Sequence, residues 1–178
     1  MLVQGYSSTS VDEIISAAGV SKGSFYHSFK SKEELGAEVA QAYLEEALAA
    51  IGTGRYLEVK DPLERAFAFV EHIETAAPVF WNHGCMLGSL AMDLSGTHPS
   101  IADCLNHLME NLEARITPML EPIALACRCE DAPTARELAN HMMAVVEGGI
   151  VMAKAHGDPG RIAKAIHEFR RYVTVLVR

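Results

Sequence analysis

GYSSTSVDEIISAAGVSKGSFYHSFKSKEEL, residues 5–35, decides how this chain folds. Two short helical patterns flank a glycine turn, and a longer helix opens behind them. The first runs from Thr9 or Ser10 to about Ala18 and places Val11, Ile14, Ile15 and Ala18 on one face, an offset pattern that belongs to helices and not to strands. Ser10 and Glu13 have the S-x-x-E spacing of a capping box, which gives that helix a defined start. Gly19 can take the left-handed backbone that a sharp turn needs. Ser21 can cap a second helix that ends near Phe29. Helix, short turn and helix together make a helix-turn-helix.

The second helix carries Ser21, Lys22, Gly23, Ser24 and His27 on its polar side, with Val20, Phe25 and Phe29 expected inward. Small hydrogen-bonding residues near a helix start can approach base edges in a major groove. Gly23 costs about 1 kcal/mol against Ala inside a helix, so keeping it there fits a need for close backbone approach. A helical hairpin that only packs a core would show the same spacing.

The run Gly5-Tyr6, Thr9-Ser10-Val11, Ile14, Ala18 through Tyr26, Phe29 and Ser31 through Leu35 resembles the DNA-binding signature of the tetracycline-repressor (TetR) family of bacterial transcription regulators. The resemblance covers residues 5–35 nearly without gaps. It implies an all-α fold: a helix-turn-helix DNA-binding domain over residues 1–46, then a helical ligand-binding and dimerisation domain over 47–178. It also implies roles. Thr9 and Ser10 would touch phosphate, and Lys22, Gly23 and Ser24 would face bases, with Ser21 on the same surface. Tyr26 and His27 would contact the DNA backbone, and Lys32 would pair with a phosphate. Helix N-termini and lysines suit phosphate, while small groove-facing polar groups suit bases. The family carries a further helix before the Gly-Tyr pair. Only Met1–Gln4 precede Gly5 here, so the first helix is expected to be largely missing from this chain.

Composition sets outer bounds. Hydrophobic residues make up 49% of the 178, enough for a sizeable core. No apolar run reaches the ~20 residues of a membrane span and no signal peptide pattern opens the chain, so a cytoplasmic protein without a membrane partner is expected. The net charge of −8 argues against nucleic acid until it is divided. Residues 1–32 carry +1 and the remainder −9, which fits an acidic body that touches DNA at one end. Cys85, Cys104, Cys127 and Cys129 read as thiols and not as disulfides. The Cys127-x-Cys129 pair is a weak metal cue without a second paired site. Neither H-x-x-x-H nor paired C-x-x-C spacing occurs among the eight His and four Cys, so no metal or other cofactor is expected.

Past the head, Ser31 and Glu34 repeat the capping spacing and start a helix predicted to reach Ile51, with Leu35, Val39, Tyr43, Leu48 and Ile51 as buried candidates. A tilt of this helix would move the reading helix. Asp61-Pro62-Leu63-Glu64 is a strong start for a helix carrying Leu63, Phe67, Val70 and Ile73 and ending before Pro78. An irregular link at Val79–Trp81 should lead to a helix from about His83 to Leu94, closed by Ser95–Pro99. Pro99 to about Cys127 reads as a long helix that Pro118 and Pro122 should kink or break. Asp131-Ala132-Pro133 reopens the chain into a helix bearing Leu138, Met142, Val145, Gly149 and Met152. Asp158-Pro159 starts the last helix, with Ile162, Ile166, Phe169, Val173 and Leu176 at steps of three and four. Ala144, Gly148, Gly149 and Ala153 would let helices approach closely. Two such helices from each of two chains make a four-helix bundle, and a homodimer of that kind matches a palindromic operator in double-stranded DNA. Packing within one chain would use the same stripes.

Large soft side chains at Phe67, Phe80, Trp81, Met86, Met92, Leu108, Met109, Met142 and Met143 could line a cavity for a small-molecule inducer or fill an ordinary core. His83, Asn82, His107, Asn111 and Glu147 could orient a ligand. The segment Gly84–Ala91 resembles one found in a TetR subgroup in which some members respond to electrophiles or oxidants through a cysteine, which points to Cys85. A small buried residue that lets helices pack would read the same way. The expectation is therefore a repressor released from its operator by a small-molecule or electrophile inducer, and not an enzyme. No G-x-S-x-G, H-E-x-x-H, P-loop or dinucleotide fingerprint is present. The alternative is an all-helical binding protein or enzyme that has lost DNA recognition.

Overall fold

Local chemistry at the chain's serines and glycines starts and stops the first two helices. The computed structural model describes residues 1–94, 96 and 98–178, with the backbone alone at Ser100. Helix α1 is Val11–Ala18, and Ser10 caps it in a complete capping box with Glu13. Gly19 closes it at φ 66°, and the Val20 amide returns to the Ile15 carbonyl at 3.2 Å. That return bond is the Schellman closure, and it turns Val20 to solvent at 44% exposure, against the inward position expected of it. Helix α2 is Lys22–Ser28, with the Ser21 hydroxyl accepting from the Ser24 amide at 3.0 Å.

Helix α3, Lys32–Ile51, starts where predicted, with the Ser31 hydroxyl accepting from the Glu34 amide. Its buried side is not the predicted Leu35, Val39, Tyr43 row, which is half-covered, but Gly36, Ala40 and Leu44. The reason is Tyr6, whose ring lies so close to Gly36 that a Cβ there would stand 3.1 Å from it.

A 3-10 turn at Arg55–Glu58 precedes α4, Pro62–Phe80, which Asp61 caps and Pro62 opens. Helix α5 is Met86–Leu94, three residues shorter than expected at its start, because Gly84 at φ 111° occupies a turn first. Helix α6, Pro99–Ala126, starts at the predicted proline. Of the predicted closing stretch before it, Ser95 and Thr97 lie outside the described residues. Helix α7 is Ala135–His156, opened by a Thr134–Glu137 capping box and not at Asp131, and α8 is Gly160–Leu176.

The internal prolines do not stop their helices. Helix α4 runs through Pro78, and α6 runs through both Pro118 and Pro122 without ending. A proline removes one amide donor and strands the carbonyl four residues back. For Pro118 and Pro122 those carbonyls belong to Ala114 and Pro118, both exposed, so water can serve them. The opposite face holds Ile116, Leu120 and Ile123, at most 6% exposed, and that burial keeps the helix in register.

The described residues form eight α-helices and no strand, an all-α fold. They divide into two compact units, one of residues 1–46 and 85–109, the other of residues 47–84 and 110–178. In the first, Tyr6, Phe25, Ala40, Leu44, Leu87, Leu90, Leu105 and Leu108 are buried. In the second, α8 packs on both α7 and α4. Ile162, Ile166, Phe169 and Val173 recur at helical steps and are at most 2% exposed. On α7 the buried row is Leu138, Met142, Val146, Gly149, Ile150 and Ala153, while the predicted Met152 is 47% exposed. Gly149 is needed there, since a Cβ would stand 3.1 Å from the Ile162 Cα. Across α4 and α8, the Glu74 carboxylate lies 2.9 Å from Arg170 Nε and 3.1 Å from His167 Nδ1. Among the described helices none is long and apolar enough to cross a membrane.

Candidate nucleic-acid interface

Helix α2 has seven residues and only one of them, Phe25, is buried. Phe25 packs edge-on against Tyr26 at 5.1 Å and tilts toward Phe29 at 5.7 Å. One anchor on the inner side leaves the rest of the rod for solvent. Ser21, Lys22, Gly23, Ser24, Tyr26 and His27 are all exposed, Tyr26 by half. A Cβ on Gly23 would meet only the Ser21 hydroxyl, at 3.7 Å, so the inner packing does not demand glycine at this place. The six residues therefore form one outward surface of hydroxyls, a bare backbone patch, a phenol, an imidazole and an ammonium.

The ammonium is held. Lys22 Nζ lies 3.2 Å from Asp12 Oδ1 on α1, with both side chains well exposed. Such a pair contributes little to stability and opens readily to a competing anion. Asp12 is a residue that the sequence reading missed, and ten positions separate the partners.

Ser10 is exposed but occupied. Its hydroxyl and amide both meet the Glu13 carboxylate, at 2.8 and 2.6 Å. These bonds hold the Glu13 carboxyl below the usual carboxylate range. Thr9 departs from its expected place. It is 5% exposed, its hydroxyl donates to the Gly5 carbonyl at 2.8 Å and its amide to Tyr6. Its side chain braces the loop before α1. Lys32 is half-buried, with Nζ donating to the Tyr6 carbonyl at 2.6 Å and lying 4.0 Å from the centre of the Tyr6 ring. Two of its three donors remain for another acceptor.

Tyr6 is the hub of this brace. Burial, with the nearby Glu33 carboxylate, pushes its phenol up to about 12. The Asp93 carboxylate of α5 accepts from the Ser7 amide at 3.1 Å, and His98 lies 3.7 Å from Glu33. No local pattern could have found the Ser7–Asp93 bond, since 86 positions separate its ends.

The residues expected around a ligand fall into both units. Cys85, Met86 and Met109 lie in the first, and Phe67, Phe80, Trp81, Met142 and Met143 in the second. Cys85, Met86 and Met142 are buried, and the others are half-buried. Cys85 is only 6% exposed, unlike the accessible setting of a reactive thiol. It stands just before α5, where its carbonyl accepts from the Ser89 amide. His83, Asn82, His107 and Asn111 are exposed. Of the eight, Trp81 lines a described groove of about 170 Å³, walled also by Asn82, Ile150, Lys154 and Pro159. That volume is below the roughly 300–1,000 Å³ usual for drug-sized ligands and suits a smaller one. Among the described residues no three His, Cys, Asp or Glu side chains gather as a metal set.

Comparison with known proteins matches this architecture at both ends. Residues 2–39 match the family model of bacterial regulatory proteins of the tetR family, and residues 62–169 match the tetracyclin repressor-like C-terminal domain. The chain is 31% identical to the transcriptional regulator AcuR of Cereibacter sphaeroides over 174 residues, 95% of this chain and 78% of AcuR. It is 35% identical to the transcriptional repressor DhaR of a Mycobacterium species over 95 residues, 53% of this chain and 46% of DhaR. A solved regulatory protein TetR from Rhodobacter sphaeroides superposes with a TM-score of 0.79 at 27% identity, covering 96% of this chain and 90% of that one. A TetR-family regulator from Agrobacterium tumefaciens gives 0.76 at 26%, with the same coverage. An outward, singly anchored second motif helix, an all-helical body and these matches lead to one conclusion: the chain belongs to the TetR family of bacterial regulatory proteins and is a DNA-binding transcriptional regulator.

Proposed function

We propose that this protein is a repressor that binds a palindromic operator as a homodimer and leaves it when a small-molecule inducer binds. In this reading Lys22, Gly23 and Ser24 face base edges, Tyr26 and His27 contact the DNA backbone, and Ser10, Ser21 and Lys32 lie along the phosphates. The carrying observation is the α2 surface: six exposed polar or small residues over one buried anchor. Lys22 exchanges Asp12 for the nucleic acid on binding.

The dimer forms through α7 and α8. Beyond their buried stripes these helices keep Val151 and Val175 exposed at 64% and 67%, with Met152 and Tyr172 above 40%. Ala144 and Gly148 on α7 are exposed too, and a Cβ on Gly148 would meet nothing within 4 Å. Apolar and small residues together on two adjacent helices suit a four-helix contact with a second copy. Two copies would present two reading helices to half-sites separated by a multiple of about one helical turn.

The inducer is a small molecule with an apolar body, received by Phe67, Phe80, Trp81, Met142 and Met143 of the second unit. Helix α3 carries the response toward the head. The protein works in the cytoplasm and catalyses no reaction. Differential affinity of the inducer for the two states, worth about 1–3 kcal/mol, would be enough to release the operator.

The test is a mobility-shift titration on the DNA flanking the gene, with Lys22→Ala and Tyr26→Ala beside the wild type. Specific wild-type binding that both variants lose supports the reading, and equal binding by all three refutes it. Trp81 is the chain's one tryptophan, so its fluorescence reports ligand entry in the same sample.

A further inference from the structure

Cys127 and Cys129 follow the end of α6 directly, and their sulfurs lie 2.7 Å apart. Both residues are reduced, Cys127 half-buried and Cys129 exposed. The pair sits in the connection between α6 and α7, and this connection is tied down: the Arg128 amide donates to the Leu176 carbonyl at the end of α8, at 3.1 Å. That bond ties the residue between the two cysteines to the end of α8. A disulfide needs sulfurs about 2.05 Å apart, so closure asks for a small local movement.

We propose that Cys127 and Cys129 are a reversible dithiol–disulfide couple, oxidised by a low-molecular-weight disulfide. The inference does not depend on the DNA reading. Hydrogen bonding to Cys127 pushes the Cys129 thiol up, and the exchange opens at Cys127. The Cys127 thiolate attacks one sulfur of the small disulfide. A protein–small-molecule mixed disulfide forms, and the first small thiolate leaves. Cys129 then gives its proton to that thiolate and attacks the Cys127 sulfur, and the second small thiolate leaves with the bond between them. Two protein thiols are oxidised and one small disulfide is reduced to two thiols. Paired disulfides of this kind in reducing compartments are transient and regulatory. Closure here would act on the α6–α7 connection at the point where it is tethered to α8.

Arg128 lies between the cysteines, which makes the test direct. The full-length protein is equilibrated with mixtures of oxidised and reduced glutathione, and remaining thiols are alkylated. After trypsin, which cuts after Arg128, the peptides ending at Arg128 and starting at Cys129 stay joined only if the two cysteines are bonded. The expected result is a joined pair in protein that runs as a single chain on a non-reducing gel, at glutathione ratios where Cys85 and Cys104 are still alkylated. In Cys129→Ser, Cys127 should instead retain glutathione as a mixed disulfide. The proposal is overturned if both peptides separate with alkylated cysteines at every ratio, if the bond joins two chains, or if Cys104 is oxidised as readily as the pair.

Discussion

Helices α2 and α8 use the same hydrogen bonds for opposite ends. Helix α8 buries four residues in a row, each at most 2% exposed, and is positioned by that stripe. Helix α2 buries one, and is positioned by its Ser21 cap and by Phe25. A core helix draws its place from area removed from water, while a reading helix has to leave that area free. The contrast predicts that substitutions on α8 act on stability and those on α2 act on binding.

The largest effect is expected at Phe169. Phe169→Ala should cost about 3–5 kcal/mol in urea unfolding, while Tyr26→Ala, on the open side of α2, should cost under about 1 kcal/mol. Comparable losses for the two would break the contrast. Next comes Gly149→Ala, where the new methyl meets the Ile162 Cα at 3.1 Å and the Ala165 Cβ at 3.2 Å. About 1–3 kcal/mol should be lost, and an unchanged urea midpoint would mean that α7 and α8 are not held this closely.

Acid should act on the helix starts before it acts on the stripes. The capping boxes hold the Glu13 and Glu137 carboxyls below their ordinary range, chiefly through the backbone amides of Ser10 and Thr134. Folded values lowered in this way give a contribution that is complete above the ordinary glutamate range. It is lost as pH falls through the lowered folded values. Hydrogen exchange at the Ser10 and Thr134 amides should therefore speed up, relative to the intrinsic rate, as pH drops below the carboxylate range, while the Phe169 amide stays protected. Simultaneous loss at all three would place the capping boxes among globally coupled elements. The smallest effect is expected from Asp12→Asn. It removes an exposed ion pair, so urea stability should move by less than about 1 kcal/mol. Operator affinity should rise a few-fold, because Lys22 no longer has an acidic competitor.

What the sequence made legible follows the same division. Ser10 with Glu13, and Asp61 with Glu64, could be read because a cap is a matter of neighbours three residues apart. The stripe of α8 could be read because burial imposes its period on the residues. Pro78 was misread as a helix end, and α6 does not break at Pro118 or Pro122, since whether a helix survives a proline depends on what the opposite face buries. Val20 was misread because its direction is set by the left-handed Gly19 and not by its own apolarity. At the candidate interface the exposed residue types were legible from the resemblance. The inward turn of Thr9, the Lys32–Tyr6 brace and the Ser7–Asp93 bond were not, because each depends on tertiary placement.

The central claim is that the open face of α2 reads DNA, and fluorescence anisotropy on a labelled operator fragment tests it most directly. Lys22→Ala would be titrated beside Lys164→Ala, which removes a somewhat more exposed lysine from α8. The account predicts at least about a tenfold loss of affinity for Lys22→Ala and wild-type affinity for Lys164→Ala. Equal affinities for the two variants and the wild type would contradict it.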